Sequence, residues 1–157
     1  MPLRQLRTFQ DPDLEKQCRP VTDINAHVLA LLDDLAETLE SLPEAVSLAA
    51  NQIGILRRLA VVRTDSGIQK LINPAIVEQS GSQEIDEDCL CYKDIEGIML
   101  RPEKIVVEAL NEKGEKLTLA LEGAEASKFC HLIDHLDGKV LIKQIHRFVS
   151  APLDGEE

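Results

Sequence analysis

Two histidines stand four residues apart in the stretch KFCHLIDHLDG, which spans residues 128–138. On an α-helix, residues at this spacing lie on one face about 5–6 Å apart, so His131 and His135 can both reach a single small ion. Metal-dependent hydrolases that use such a pair place a glutamate directly after the first histidine as a general base. Here that position is Leu132. The stretch indicates either a metal site without its usual base or two ordinary histidines on a helix.

A metal site needs a third protein ligand, and cysteines supply the candidates. Cys89 and Cys91 lie in the segment DEDCLCYKD. Two histidines and one thiolate leave one coordination position open, whereas a fourth protein ligand would close the site. Cys130 precedes His131 and points about 100° away around the helix, so we do not expect it to bind the same ion. The spacing alone does not choose between Cys89 and Cys91.

The size and charge of the chain limit its function classes. Its 157 residues predict a single domain spanning 1–157. The net charge of −11 argues against a nucleic-acid partner that is bound by phosphate neutralisation. No apolar run approaches the roughly 18 residues of a membrane span, and the first residues lack the apolar stretch of a signal peptide. We therefore expect a cytoplasmic protein without a membrane partner, whose four cysteines are free thiols or metal ligands. No feature indicates the oligomeric state.

The elements that must position these residues follow from the pattern of apolar residues. Thr22-Asp23 predicts the N-cap of an amphipathic helix that ends before Pro43. A second, mostly buried helix is predicted from near Gly123 to Gly138, and it carries both histidines. Between the helices, runs rich in β-branched residues predict strands at 57–64, 69–78, 98–110 and 115–121, with a hairpin over 101–121. This order predicts an α+β fold, in which antiparallel β-sheets pack around a buried C-terminal metal-binding helix, with an N-terminal amphipathic helix.

Three motifs, in this order, make the sequence resemble the peptide deformylase family. The family patterns are roughly G-x-G-L-A-A-x-Q, E-G-C-L-S and Q-H-E-x-D-H-L-x-G. The chain reads AVSLAANQ at 45–52, EDCLC at 87–91 and CHLIDHLDG at 130–138. Flanking segments agree as well, namely DPDLEKQCRPV, LINPAIVE and MLRPEKIVVEAL. The resemblance therefore covers nearly the whole chain.

The resemblance implies a metal-dependent hydrolase of protein biosynthesis. It makes Cys89, His131 and His135 the ligands of one divalent ion, usually iron(II) in the family, with nickel, cobalt or zinc able to occupy the site. It makes Gln52 the side-chain donor to the developing oxyanion, helped by the main-chain N–H of Leu90, as a reaction that builds up charge requires. The substrates that it implies are the N-formylmethionyl peptides of nascent chains.

The chain departs from the family pattern at the position that matters most for catalysis. Leu132 stands where the family has the glutamate that moves the proton, a contribution of typically about 10²–10⁴-fold. Asp88, which is new beside the cysteine, is a candidate replacement, but a base must reach the water, and we expect Asp88 to point to solvent. Asp134 is retained from the motif and is expected to brace the site or to pack. Cys91 replaces a serine and would close the metal sphere if it became a fourth ligand.

Other departures surround the same site. Ala45 and Ser47 replace both glycines of the first motif, which predicts a reshaped substrate groove. Cys130 replaces the glutamine before the first histidine. Arg101 matches a family arginine, and the alternatives for it are a pair with Glu87 that braces the cysteine loop or an ordinary surface ion pair.

Three functions remain compatible with the sequence. Leu132 favours a peptide deformylase-like protein that keeps its metal, has weak or no deformylase activity, and binds a metal or a peptide. The alternative is an active metal-dependent peptide deformylase that removes the formyl group from N-formylmethionyl nascent peptides. In the third, no metal binds and the histidines are core residues, which the joint presence of Cys89 and Gln52 argues against. The sequence thus leaves open whether the chain is an enzyme.

Overall fold

Two helices and eight strands make up the part of the chain that the computed structural model describes, residues 16–89, 92–138 and 147–150. Side chains are described for residues 16–85 and 98–138. Helix α1 spans Ala26–Glu40, helix α2 spans Ala124–Leu136, and a 3₁₀ turn spans Ala50–Ile53. The strands are β1 (Ser47–Ala49), β2 (Leu59–Thr64), β3 (Gly67–Ser80), β4 (Gln83–Cys89), β5 (Tyr92–Arg101), β6 (Lys104–Leu110), β7 (Lys116–Glu122) and β8 (Arg147–Ser150).

Helix α1 begins later than its predicted N-cap. The N-cap is Asn25, whose side chain accepts the main-chain N–H of Val28 at 3.0 Å, so the prediction of Thr22-Asp23 was wrong. Asparagine caps a helix as well as aspartate does. The main-chain oxygen of Asp23 accepts the main-chain N–H of Asn25. The helix ends before Pro43, as predicted. Its apolar stripe is buried, namely Val28, Leu31, Leu32, Leu35 and Leu39.

Five antiparallel strands form the larger sheet, in the order β1-β2-β3-β6-β7. Strands β6 and β7 form the predicted hairpin, in which Lys104 lies opposite Glu122 and Leu110 opposite Lys116. Strand β1 was not predicted, because three residues are too few to show an alternating pattern. It pairs with β2 and leads directly into the 3₁₀ turn. The sheet thus carries the first motif at its edge.

Both faces of the larger sheet are covered by a helix. Ala60 and Val62 of β2 belong to a core cluster with residues of α2, whereas Leu59 and Val61 belong to a second cluster with residues of α1. Successive side chains of a strand point to opposite faces, so neighbouring residues of β2 serve two different cores. This double burial explains the uninterrupted apolar start of β2.

The smaller sheet has three antiparallel strands in the order β4-β5-β8. The prediction of one strand over 98–110 was wrong, because that run contains the end of β5 and the whole of β6, which lie in different sheets. Pro102 separates the two strands; it has no N–H to contribute to a ladder. Strand β4 was not predicted, and it ends at Cys89, which pairs with Tyr92.

Helix α2 matches its prediction. Gly123 precedes it with a positive φ of 64°, and Gly138 follows its C-cap Asp137 with a φ of 76°. Most of its residues are buried, including both Phe129 and Leu136. The predicted α+β fold, with antiparallel sheets and a buried C-terminal helix, is therefore confirmed. Neither helix in the described residues is long and apolar enough to cross a membrane.

Asn73 ties the segment before α1 to strand β3. Its Oδ1 accepts the main-chain N–H of Val21 at 2.8 Å, and its Nδ2 donates to the main-chain oxygen of Val21 at 2.8 Å. Asn73 is also the only non-glycine residue with positive φ, 56°, in the described ranges. Asparagine tolerates this left-handed conformation better than other L-residues.

We predict that Asn73→Ala lowers the free energy of unfolding by about 2–4 kcal/mol, because two hydrogen bonds are lost and alanine is strained at positive φ. Asn73→Gly loses the same hydrogen bonds without the strain and should be about 1 kcal/mol less damaging. Urea unfolding of the three proteins measures both differences. Equal losses for alanine and glycine would contradict the role assigned to the backbone conformation.

Cys18 titrates late because it lies in the core. Its side chain is 2 % exposed, and its main-chain N–H donates to the oxygen of Leu136 at 2.8 Å. Burial raises the pKa of the Cys18 thiol from 9.0 to about 11, against smaller lowering effects of Arg58 and of the main-chain N–H of Asn51. Cys18 and Cys130 form no disulfide among the described residues, in line with the expectation of free thiols or metal ligands.

The raised pKa predicts a loss of stability at alkaline pH. The unfolded thiol ionises above about pH 9 while the folded one stays protonated until about pH 11, so the contribution of Cys18 is complete below the lower value and declines through the upper one. The free-energy difference between wild type and Cys18→Ala should shrink by about 1 kcal/mol between roughly pH 8 and pH 10. Other titrating groups cancel in this comparison. A difference that does not change with pH would contradict the prediction.

Candidate active site

The two histidines of α2 converge on one point. The Nε2 atoms of His131 and His135 are 3.2 Å apart, and their rings meet edge to face at 75°. Two nitrogens bound to one ion at about 2.0–2.1 Å in tetrahedral geometry lie about 3.3–3.4 Å apart. The observed separation therefore fits a shared metal ion. The same separation also fits a hydrogen bond between two neutral imidazoles, the arrangement expected of core histidines.

The surroundings of His135 favour its neutral form. Its side chain is 1 % exposed. Burial, reinforced by the nearby His131 and Arg101, lowers the pKa of His135 well below its ordinary value. Neutral imidazole is the form that binds a metal. The environment of His135 thus suits a ligand nitrogen.

Gln52 is buried in the 3₁₀ turn with its amide orientation fixed. Its side chain is 4 % exposed, and its Oε1 accepts the main-chain N–H of Ala49 at 2.9 Å. This contact fixes the orientation of the amide and identifies its oxygen end. A preorganised amide donor is what a developing oxyanion requires. The position predicted for the oxyanion donor therefore carries a side chain that is already oriented.

Leu132 is an ordinary member of the hydrophobic core. It is 1 % exposed and belongs to the cluster that joins α2 to the larger sheet, together with Ala49 and Ile133. Leucine has neither a proton to give nor a lone pair to accept one. The position that holds a carboxylate in the family motif is thus apolar and well packed in this chain.

Arg101 joins strand β5 to helix α2. Its guanidinium forms an ion pair with Asp134 and is 7 % exposed. The expectation of an ordinary surface ion pair for Arg101 was therefore wrong, since the pair lies largely inside the protein. The expectation that Asp134 braces the site is consistent with this contact. Arg101 therefore links strand β5, which follows the second motif, to helix α2, which carries both histidines.

Several predicted site residues fall outside the described residues. Cys89 is the last residue of β4, and only its main chain is described. The side chains of Glu87 and Asp88 are likewise not among those described. Leu90 and Cys91 lie outside the described residues altogether. The roles of these five residues stay predictions.

Two polar contacts at the end of α2 were missed by sequence reasoning. Asn51 donates its side-chain N–H to the main-chain oxygen of His135. Arg58 donates to Asp137 at 2.7 Å and to the main-chain oxygen of Pro74 at 3.0 Å. Asn51 lies in the first motif, but a motif does not show which distant group its side chain reaches. The nearest signal was an amide residue within an otherwise apolar turn.

The fold and the histidine pair define a class: an α+β protein whose buried second helix carries two histidine rings that face one point. Residues 3–150 match the family model described as polypeptide deformylase. Peptide deformylase 2 of Clostridium acetobutylicum is 44% identical over 95% of this chain and 99% of its own length. Peptide deformylase of Caldanaerobacter subterraneus subsp. tengcongensis is 42% identical over 100% of this chain and 96% of its own length. The chain therefore belongs to the peptide deformylase family, as the motifs indicated.

Solved structures give the same result. The crystal structure of peptide deformylase from Thermotoga maritima superposes with a TM-score of 0.86 at 33% identity, covering 92% of this chain and 99% of that one. Peptide deformylase from Ehrlichia chaffeensis, in complex with actinonin, superposes with a TM-score of 0.85 at 28% identity, covering 92% of this chain and 90% of that one. The family is one of metal-dependent hydrolases that act on formylated nascent peptides. These relatives support the alternative of an active deformylase better than an inactive, deformylase-like protein, and nothing in them indicates a loss of activity.

We predict that the buried ion pair of Arg101 and Asp134 stabilises the fold far more than an exposed pair. Arg101→Gln should lower the free energy of unfolding by roughly 2–4 kcal/mol, because the Asp134 carboxylate then loses its partner in a largely buried place. Lys70 and Asp33 form a matched pair at 2.6 Å, with Asp33 52% exposed, so Lys70→Gln should cost under about 1 kcal/mol. Urea unfolding measures both. Similar losses for the two variants would show that burial of the first pair has no special weight.

Proposed function

We propose that this chain is a metal-dependent peptide deformylase, which removes the formyl group from N-formylmethionyl nascent peptides, and that Leu132 makes proton transfer its slow step. The observation that carries the proposal is the pair of Nε2 atoms, 3.2 Å apart on a buried helix. The oriented amide of Gln52 and the names of the relatives support it. Cytoplasmic location and action on nascent chains are part of the proposal.

His131, His135 and Cys89 would hold the ion, and the hydrolysis would follow from the residues around it. When bound, a divalent ion would act as a Lewis acid and lower the pKa of water, so that a nucleophile for the amide carbon is available near neutral pH. Neutral His135, buried and fixed, offers its nitrogen without first losing a proton. The proposed metal is iron(II), with zinc, nickel and cobalt as substitutes.

Gln52 and Leu90 would stabilise the charge that develops on the formyl oxygen. The Oε1 of Gln52 accepts the main-chain N–H of Ala49, which fixes the orientation of the amide, and the proposal makes its Nε2 group the donor to the formyl oxygen. Leu90 would add its main-chain N–H. Donors that are fixed before the reaction contribute most, because none of the reaction's free energy is spent on turning them.

Proton transfer is the step that this chain performs least well. In the described residues, Asp134 and Asp137 at the C-terminal end of α2 are each engaged by an arginine, and the remaining carboxylate of the helix, Glu125, lies in its first turn. Leu132 cannot take a proton from the attacking water or give one to the leaving amine. A general acid–base group typically contributes about 10²–10⁴-fold, and this is the deficit that we expect.

A second candidate function is peptide binding without turnover. The burial of Leu132 in the core favours it, because the site is dry and apolar at the place where a proton carrier is needed. Clostridium acetobutylicum has two proteins named peptide deformylase that are similar to this chain, at 44% and 39% identity. In an organism with two copies, one of them can lose turnover and keep its ligand.

The decisive variant is Leu132→Glu, with Leu132→Gln as its matched control. Glutamine has the shape of glutamate but cannot accept the proton, so both variants disturb the core while only one restores the chemistry. On nickel-loaded protein with a formyl-Met peptide, we expect kcat to rise about 10²–10⁴-fold for Leu132→Glu and not for Leu132→Gln. A wild-type kcat equal to that of Leu132→Glu would contradict the slow step assigned to Leu132.

Binding of actinonin separates the two candidate functions. Measurable wild-type turnover together with actinonin binding supports the deformylase. Actinonin binding without any turnover in the nickel-loaded wild type supports the peptide-binding protein. A wild type that takes up no nickel, cobalt, zinc or iron contradicts both candidate functions. It would indicate that the two histidines are ordinary core residues.

A further inference from the structure

Asn51 connects the two halves of the proposed site. It is 0% exposed and stands between Ala50 and Gln52 in the 3₁₀ turn. Its Nδ2 donates to the main-chain oxygen of His135, which lies 84 residues away in the sequence. The residue beside the proposed oxyanion donor is thus hydrogen-bonded to the residue that carries a proposed metal ligand.

Both groups that Asn51 joins are fixed by other contacts. The oxygen of His135 also accepts the N–H of Gly138 at 3.0 Å, within the last turn of α2. The main-chain oxygen of Asn51 accepts the N–H of Gly54 at 3.2 Å, and Gln52 is fixed through Ala49. The Asn51 side chain therefore bridges two internally rigid pieces, so a change at this bond moves one piece relative to the other.

The polar side chain of Asn51 has a cost in folding free energy. Among the described residues, the Oδ1 of Asn51 is buried without a hydrogen-bond partner, an unfavourable state for a carbonyl oxygen. An apolar side chain of similar size would avoid it. Residues that break a local rule of this kind concentrate at functional sites.

We propose that Asn51 is a positioning residue, which sets the distance between the Gln52 amide and His135. The inference rests on the proposed function. The family pattern leaves this position open (x in G-x-G-L-A-A-x-Q), so the assignment comes from the contact and not from the motif. Catalysis depends on placement within fractions of an ångström, and loss of groups that orient metal ligands typically lowers metal affinity or activity about 10–100-fold.

The test compares Asn51→Leu with Asp137→Asn. Leucine has the same number of side-chain heavy atoms as asparagine but none of the polar groups that form the bridge, and the His135 oxygen keeps its bond to Gly138. Asp137→Asn weakens the 2.7 Å contact of the same helix end with Arg58 and leaves the side chain of Asn51 unchanged. A role limited to stability would affect both variants alike.

Cobalt(II) titration followed by visible absorption is the first readout, and kcat with KM in a Leu132→Glu background is the second. We expect Asn51→Leu to weaken cobalt(II) binding or to lower kcat by about 10-fold or more, with shifted absorption bands and KM within about twofold. Asp137→Asn should change neither. If Asn51→Leu does not fold, Asn51→Ala removes the same bridge by deleting atoms.

The outcomes separate this inference from the proposed function. A wild type that binds cobalt(II), together with an Asn51 variant that matches Asp137→Asn in both readouts, overturns the role of Asn51 alone. A wild type that binds no cobalt(II) overturns the proposed site, and the inference with it. A selective loss in the Asn51 variant supports both.

Discussion

The burial of helix α2 is the constraint on which the rest of the structure depends. A helix that carries two imidazoles cannot be buried among apolar side chains alone, because buried polar groups need partners. Its last turns are accordingly held by polar contacts from three other parts of the chain. Asn51 reaches the main chain of His135, Arg101 pairs with Asp134, and Arg58 pairs with Asp137. These contacts secure the end of the helix, and the burial of the helix lowers the pKa of His135 well below its ordinary value.

Much of the fold could be predicted from the sequence because it depends on local patterns. The helical stripe of α1, the hairpin β6–β7 and the glycines that flank α2 are each visible within some twenty residues. The errors arose where a local pattern was ambiguous. Asn25 and Asp23 are equally good caps, and only the packing of α1 selects between them. The run 98–110 has a continuous strand-like composition, and only the assignment of β5 and β6 to separate sheets shows that Pro102 divides it.

The candidate site was predictable to the extent that spacing determines it. A spacing of four residues on a helix brings two side chains together, as the structure shows for His131 and His135. The groups that hold the site in place were not predictable in this way. The contact of Asn51 with His135 joins residues that are 84 positions apart in the sequence. Arg101 had two candidate roles in the sequence, and its pairing with Asp134 follows from the place where β5 crosses α2, which no motif encodes.

At position 132, the residue that best stabilises the hydrophobic core differs from the one that proton transfer requires. A leucine buried in the core contributes about 1.5–3 kcal/mol relative to an exposed one, whereas a carboxylate in the same surroundings would have to be desolvated and would favour its protonated form. That desolvation is useful in a hydrolase, because it brings the pKa of a carboxylate close to the working pH. The chain has taken the stable alternative at this position while keeping the histidine pair and the oriented Gln52. Under the proposed function, the consequence is a site that keeps its proposed ligands and oxyanion donor but whose proton leaves by a slower route.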